Sequence, residues 1–539
     1  MEVKYVAKNL AIDFGNSNTG IAYWDESRKM GVTLVIDDIT TVETYQSLEG
    51  QEKSVYLVPS LINYSTQNEQ WIGSQVLEKN LYGAHGTFKW MKRYISTRNP
   101  SKVHVGGQDI DHYKAGHDFL SSVILQAAEK VDLGEEEIVF TVPVESFEHY
   151  EDWIANIAED IQITRFRLID EASAAALGYE AHIQPNDVYI VFDFGGGTLD
   201  VSVVIIKDED TAIHGKSCRV LGKSGADLGG MIVDSWIFEY IIKENGMTSS
   251  DENVRLLSRA LLVQCENAKK HLSQYESANI SVANPEDGSV INAHVTRDEF
   301  ESKILESNGF FNTINSTIIQ ALMKAGEKGY TQDEIKAVLM VGGSSLIPSV
   351  QKTLINMFGQ EKVMLDRPLD ATVRGATAFA AGVDFYDHIQ HDYAIRFVDP
   401  VNCDYDYRKI IRRGTPYPSK KPVTKLRIKS SYEGQKNLGL AIYEISERYT
   451  KSKSNELVFD PTGAARIVQI SPEEENRRTY FWMNEDQPTF LIVDPPAPKG
   501  EACFEVEFLI DCNKRLIINA RDLKTRELVY KNYPVVKLR

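Results

Sequence analysis

The chain has 539 residues, 42% apolar and 25% charged, the composition of an ordinary globular protein with room for two or more domains. Its 59 bases against 77 acids leave a net charge of −18, a surface that repels nucleic acid, and no basic block offsets it. The five cysteines, Cys218, Cys265, Cys403, Cys503 and Cys512, form no CxxC pair and argue against a disulfide framework or a zinc site. No apolar run approaches a membrane span, and MEVKYVAKNLAIDFG has no signal-peptide core, so a cytoplasmic protein is expected.

Short apolar runs recur with helical segments between them. The runs AIDF (11–14), GIAYW (20–24), IVFTV (138–142), YIVFDF (189–194), VSVVII (201–206) and AVLMV (337–341) read as strands buried on both faces. Helical patterning covers Asp118–Val131, Asp234–Lys243, Asn253–Leu272 and Ser349–Met357. The expected class is α/β. After about residue 384 the texture changes to alternating stretches such as VTKLRIK, LGLAIYEI, ARIVQI, FEVEFLI and RLIINA, separated by turn residues. This predicts an antiparallel β domain over 394–539, joined to residues 1–383 by a polar linker at 384–393.

One internal echo organises the first 383 residues. Asp13-Phe14-Gly15 and Asp193-Phe194-Gly195 each end one strand and lead through small polar residues into another. Two copies of a strand–turn–strand unit predict two related lobes facing each other. Gly195, Gly196 and Gly197 lack a Cβ, so their backbone N–H groups can wrap one side of a polyphosphate, with Gly15, Asn16 and Ser17 on the other. Asp13, Asp193 and Asp200 then fall near one point. Three carboxylates alone would repel a phosphate chain, and Mg²⁺ between them, mostly through water, balances the charge. Gly342 and Gly343, after the AVLMV strand, would let a nucleoside lie against bare backbone.

Rival motifs fail. A protein kinase needs GxGxxG and HRD loops, and neither is present. Gly222-Lys223-Ser224 has the tail of a Walker loop, but the glycine before it, Gly215, stands too far back. On residues alone, Lys92 in KWMKR reads as a surface lysine, and Glu266, Lys269 and Lys270 fit a solvated helix face as well as a ligand site.

The order of six further pieces carries a resemblance. TVPVESF (141–147), LIDEASAAALGY (168–179), LGG (228–230), CENAKKHLS (265–273), FKWMKRYIS (88–96) and VGGSS (341–345), with the two Asp-Phe-Gly hairpins, resemble the 70-kDa heat-shock chaperones of DnaK type. These lie within the actin-like ATPase superfamily, whose lobes are duplicated and ribonuclease-H-like. The resemblance spans residues 9–383 closely and the β domain weakly. It implies ATP or ADP binding with Mg²⁺, and slow in-line hydrolysis of the γ-phosphate. Gly15, Asn16, Ser17 and Asn18 would form the first phosphate hairpin, and Gly195 to Thr198 the second. Asp13, Asp193 and Asp200 would organise Mg²⁺ and the attacking water. Lys92 would neutralise γ-phosphate charge, Thr198 would orient the water, and Glu171 would sit close by. Glu266, Lys269, Lys270 and Ser273 would hold adenosine, with Gly342, Gly343 and Ser344 opposite. The implied partners are unfolded or extended polypeptide and co-chaperones, with neither nucleic acid nor membrane.

Several positions depart from that pattern. Leu346 stands where the family places an arginine against adenine, and Lys270 replaces the arginine on its other side. Pro143 matches a switch proline, but its partner arginine is replaced by Glu151, and Ala172 follows Glu171 in place of proline. Met231 replaces an acid after Leu-Gly-Gly, and the linker has no leucine run. The chain stops at Arg539 just after LVYKNYPVVKLR, so a β domain without a helical lid is expected. The alternative reading is a non-catalytic or weakly catalytic regulator, scaffold or accessory subunit of a chaperone complex. A small-molecule kinase of the same superfamily does not need a β domain of this sort, and an actin-like filament former is a further alternative.

Overall fold

The computed structural model describes residues 9–65, 69–96, 101–131, 138–143, 148–163, 166–179, 184, 186–208, 216–381, 387–389, 391–398, 405–419, 421–445, 455–459, 465–469, 480–485, 488–511 and 514–538. Cys403, Cys512, residues 144–147, and residues 384–386 and 390 of the expected linker lie outside them. The chain separates into two compact units, Met1–Phe385 and Tyr386–Arg539.

In the first unit, β1 (Leu10–Phe14) and β2 (Asn18–Asp25) form the first hairpin, followed by β3 (Met30–Thr33), β4 (Thr41–Gln46) and β5 (Glu52–Pro59). Helices α1 (Met91–Ser96) and α2 (His112–Lys130), strand β6 (Ile138–Val142), helix α3 (Glu148–Asp160), strand β7 (Phe166–Asp170) and helix α4 (Glu171–Gly178) complete this half. Its sheet runs β7-β6-β1-β2-β5-β4, with β3 on β2. The parallel pairing of β1 with β6 and β6 with β7 buries both faces, which is why Ile138–Val142 is apolar throughout. Helix α2 starts six residues before the patterned stretch, because Asp111 caps it by accepting from Lys114 N at 2.9 Å.

The second half repeats the plan. β8 (Val188–Phe194) and β9 (Leu199–Asp208) form the second hairpin, extended by β10 (Lys216–Ala226). Then come α5 (Gly230–Glu244), α6 (Glu252–Leu272), α7 (Phe310–Gly326), β11 (Ile335–Val341), α8 (Pro348–Phe358), β12 (Val363–Met364) and α9 (Ala371–Ala380). The sheet order is β10-β9-β8-β11-β12, with β8 parallel to β11. Each half has its own apolar core, and a third cluster lies between the sheets, to which α4 and α9 contribute seven alanines.

Those alanines are there for close approach. A Cβ on Gly178 would stand 1.9 Å from Ala371 O, and one on Gly375 1.8 Å from Ala174 O. Helices α4 and α9 therefore cross with backbones in contact, which only glycine and alanine allow. This crossing joins the two halves, and it accounts for the EASAAALG run. The unit has the actin-like fold of duplicated lobes expected above.

The second unit is a β-sandwich. Strands β13 (Asp392–Val398), β14 (Tyr405–Ile411), β15 (Thr424–Lys429), β16 (Gln435–Leu440), β17 (Ile442–Ile445), β18 (Tyr480–Trp482), β19 (Thr489–Ala497), β20 (Ala502–Ile510), β21 (Arg515–Asp522) and β22 (Leu528–Lys537) supply its main sheets. One is ordered β14-β13-β17-β18 and another β15-β20-β21-β22, all antiparallel. Alternate residues of β20 and β21, such as Phe504, Val506, Phe508, Leu516 and Ile518, fill one core with Tyr393, Ile395 and Ile442 from the facing sheet.

Candidate functional site

The two glycine turns are the same device used twice. In the first, Gly15 N donates to Asn18 O at 3.1 Å, and in the second Gly195 N donates to Thr198 O at 3.1 Å. The first is braced from below: Ser60 Oγ donates to Gly15 O at 2.8 Å, and Ser60 N to Ser17 O at 2.9 Å. The second is held by the start of α5, whose Gly230 N donates to Gly195 O and Met231 N to Gly196 O. A Cβ on Gly229 would fall 2.4 Å from the Gly197 carbonyl carbon, so this contact requires glycine.

The turns face each other. A Cβ on Gly196 would come within 2.4 Å of Ser17 Oγ, and one on Gly197 within 2.5 Å of Asn16 Nδ2. Arg93 ties them: its N–H donates to Asn16 Oδ1 and its Nη1 to Gly197 O, both at 2.8 Å. Gly195 is different. The nearest atom to a Cβ there would be Thr198 O at 3.9 Å, and for Gly343 it would be Leu369 Cδ2 at 3.8 Å. Neither position has a neighbour in the protein that demands glycine. Bare backbone with open space beside it is what a phosphate or nucleoside needs for close approach.

Beneath the turns lie the acids. Asp193 and Asp200 are directly opposite in the β8–β9 register. Asp13 stands one residue before the end of β1 and accepts from Thr141 Oγ1 at 2.6 Å. Glu171 opens α4, which Asp170 caps by accepting from Ser173 N at 2.8 Å. Lys92, on α1 and only 8% exposed, donates to Glu171. Burial pushes the Asp193 carboxyl well up, and the negative charges of Glu171, Asp200 and Asp13 push it further, against Lys92. Burial also raises Glu171, opposed by Lys92. Burial pulls the Lys92 ammonium down, but Glu171, Tyr150 and Asp13 outweigh it and hold it above the ordinary lysine value. The cluster has more negative charge than Lys92 can balance, so it favours a cation. Among the described residues no three acids converge closely enough to ligate a metal directly. The donors are hard oxygens, and they fit Mg²⁺ held through its own waters.

The expected adenosine residues do not all face open space. Lys269 pairs with Asp234 at 2.8 Å and donates to Gly230 O at 2.9 Å, tying α6 to α5. Ser273 Oγ donates to Lys269 O at 3.1 Å and closes the end of α6. Ser344 Oγ donates to Gly195 O at 2.8 Å and braces the second turn. Gly342 has φ 85°, and a Cβ there would lie 2.3 Å from Phe194 O, so it is glycine for the fold's own reasons. Glu266 accepts from Tyr82 OH and pairs with Lys270 at 3.6 Å.

Comparison with known proteins agrees with this architecture. The family profile described as Hsp70 protein matches residues 39–460. The chain belongs to the Hsp70 family. It is also 24% identical over 563 residues to the chaperone protein DnaK of Stenotrophomonas maltophilia (strain R551-3), covering 97% of this chain and 78% of that one.

Against that family background, the departures acquire places. Leu346 packs with Leu369 against Tyr45, Val55 and Leu57, so the position is taken up by apolar contact between the two halves. Glu151 is 2% exposed inside α3. Sequence reasoning missed Arg93, Tyr82, Thr141 and Lys223. Arg93 and Tyr82 have no pattern of their own, and Thr141 is hidden in an apolar strand. Lys223 was visible only as part of a failed Walker tail.

Proposed function

We propose that this Hsp70-family protein binds ATP with Mg²⁺ between its lobes, hydrolyses it slowly, and binds unfolded or extended polypeptide through its β-sandwich. The observation that carries the reading is the pair of opposed glycine turns standing over one cluster of Asp13, Glu171, Asp193, Asp200 and Lys92. The N–H groups of Gly15 to Asn18 and Gly195 to Thr198 would cradle the β- and γ-phosphates. Lys92 would take up γ-phosphate charge, and Glu171 holds its ammonium in place. Thr198 is exposed at the tip of the second turn, where its hydroxyl can orient water. When bound, Mg²⁺ would neutralise phosphate charge among the three aspartates. Phosphoryl transfer needs little beyond such positioning and charge. Co-chaperones are the further partners this reading calls for, and the cytoplasm is its compartment. Among the described residues, no helix is long and apolar enough to cross a membrane.

A second reading has its own support. Lys269, Ser273, Ser344 and Leu346 are all engaged by the protein itself, which leaves fewer groups for a nucleoside. That favours a weakly catalytic or non-catalytic accessory subunit of a chaperone complex. Calorimetry with MgATP and MgADP tests the first reading, and no heat at millimolar nucleotide would end it. Single-turnover hydrolysis separates the two.

A further inference from the structure

The acid cluster itself lines a small cavity, whose wall also holds two polar side chains that the nucleotide reading does not use, Ser202 and Lys223. The cavity has about 20 Å³ of room and is lined by Pro143, Glu171, Asp193, Asp200, Ser202 and Lys223, among others. That is enough for about one water, and the walls offer the polar partners a water needs. A lysine in such a wall calls for a reason. Lys223 is 7% exposed and Ser202 2%.

The register shows that Lys223 belongs to the acid face. Directly opposite residues of an antiparallel pair project to the same side. Val191 stands opposite Ser202, and Ser202 opposite Lys223. The next row on that face holds Asp193, Asp200 and Gly225. Lys223 is therefore one row from the two aspartates, on the side against which Glu171 packs. Its backbone is fixed as well, since Lys223 O accepts from Lys324 Nζ on α7 at 2.6 Å. Asp13 from β1, Glu171 from α4, Asp193 from β8 and Asp200 from β9 carry the negative charges here. Lys92 from α1 and Lys223 from β10 carry the positive ones.

We propose that Lys223 is the built-in counter-charge of the Glu171–Asp193–Asp200 cluster, a positioning residue that holds these acids and one water in the cavity they share. The aliphatic stem alone would fill the wall equally well without charge, as methionine does, and this contrast makes the proposal testable. For hydrolysis the inference rests on the ATPase reading. Its effect on a bound cation does not.

The test uses Mn²⁺ and the nucleotide-free full chain, with free metal followed by electron paramagnetic resonance. Removing a nearby positive charge should tighten metal binding. Lys223→Met is expected to raise Mn²⁺ affinity about tenfold, while Lys223→Arg stays within about twofold of the parent. In single-turnover hydrolysis at saturating ATP, Lys223→Met should slow the reaction about tenfold and Lys223→Arg should recover most of it. Equal Mn²⁺ affinity in the parent and Lys223→Met overturns the proposal. Should Lys223→Met not fold, protein labelled with ζ-¹⁵N lysine decides: Mn²⁺ should broaden the Lys223 ammonium signal, assigned by its loss in Lys223→Arg. A signal untouched at saturating Mn²⁺ overturns the proposal. A parent that hydrolyses no ATP ends the ATPase reading instead, and the metal measurements still decide the place of Lys223.

Discussion

Gly375 meets Ala174 backbone to backbone: a Cβ on Gly375 would lie 1.8 Å from the Ala174 carbonyl oxygen. The contact lies where α9 crosses α4, and Gly178 repeats it against Ala371 at 1.9 Å. Gly375→Ala and Gly178→Ala should each destabilise the ATPase-like unit by about 1–3 kcal/mol, the range for overpacking a tight interior, although alanine is the better helix former. Thermal unfolding checks this. Unchanged midpoints would mean that the helices can part at no cost.

Asp193 and Thr198 carry the hydrolysis proposal. Asp193→Ala or Thr198→Ala should slow single-turnover hydrolysis about 10²-fold or more, with the fold intact. Unchanged rates in both variants would remove these residues from the mechanism. Client-stimulated turnover, measured with and without unfolded peptide, tests whether the β-sandwich is coupled to that step.

Asp234 should leave a pH signature. Burial pushes its carboxyl up to about 6, against the pull of Lys269. The folded chain thus keeps this proton over a range where the unfolded chain, with an ordinary value near 3.8, has lost it. Folded protein binds more protons there, so this group's contribution to stability falls as pH rises from about 4 to about 6 and levels off above that. The change is on the order of 3 kcal/mol. Denaturant titrations of the parent and Asp234→Asn across that window should differ in slope. Parallel curves would show that Asp234 does not titrate on folding.

Arg93 joins the opposed turns through Asn16 and Gly197. Its guanidinium bond to Gly197 O is charge-assisted, so Arg93→Ala should cost about 1–3 kcal/mol. Hydrogen exchange at the second turn should quicken with it. An unchanged exchange rate there would place the coupling of the turns elsewhere.

The strands and turns that carry the candidate site are legible in the sequence. The strands at 11–14, 138–142, 189–194, 201–206 and 337–341 all form, because strands buried on both faces must be apolar without interruption. The repeated Asp-Phe-Gly likewise marks both hairpins, since two tight turns packed against each other leave few residue choices. The surroundings of the expected adenosine residues were less legible. Lys269, Ser273 and Ser344 are each engaged by a neighbour far away or one turn along the chain.

The sequence alone determined the repeated turn chemistry, the buried strands and the change to alternating β texture, because those properties are written in local periodicity and in glycine's missing Cβ. Only the tertiary structure decided that Gly178 and Gly375 join the two halves, that Leu346 serves apolar packing, and that Lys223 shares a face with Asp193 and Asp200. Those relations depend on strand register and helix crossing, which bring together residues far apart in the chain and leave no periodic trace in it.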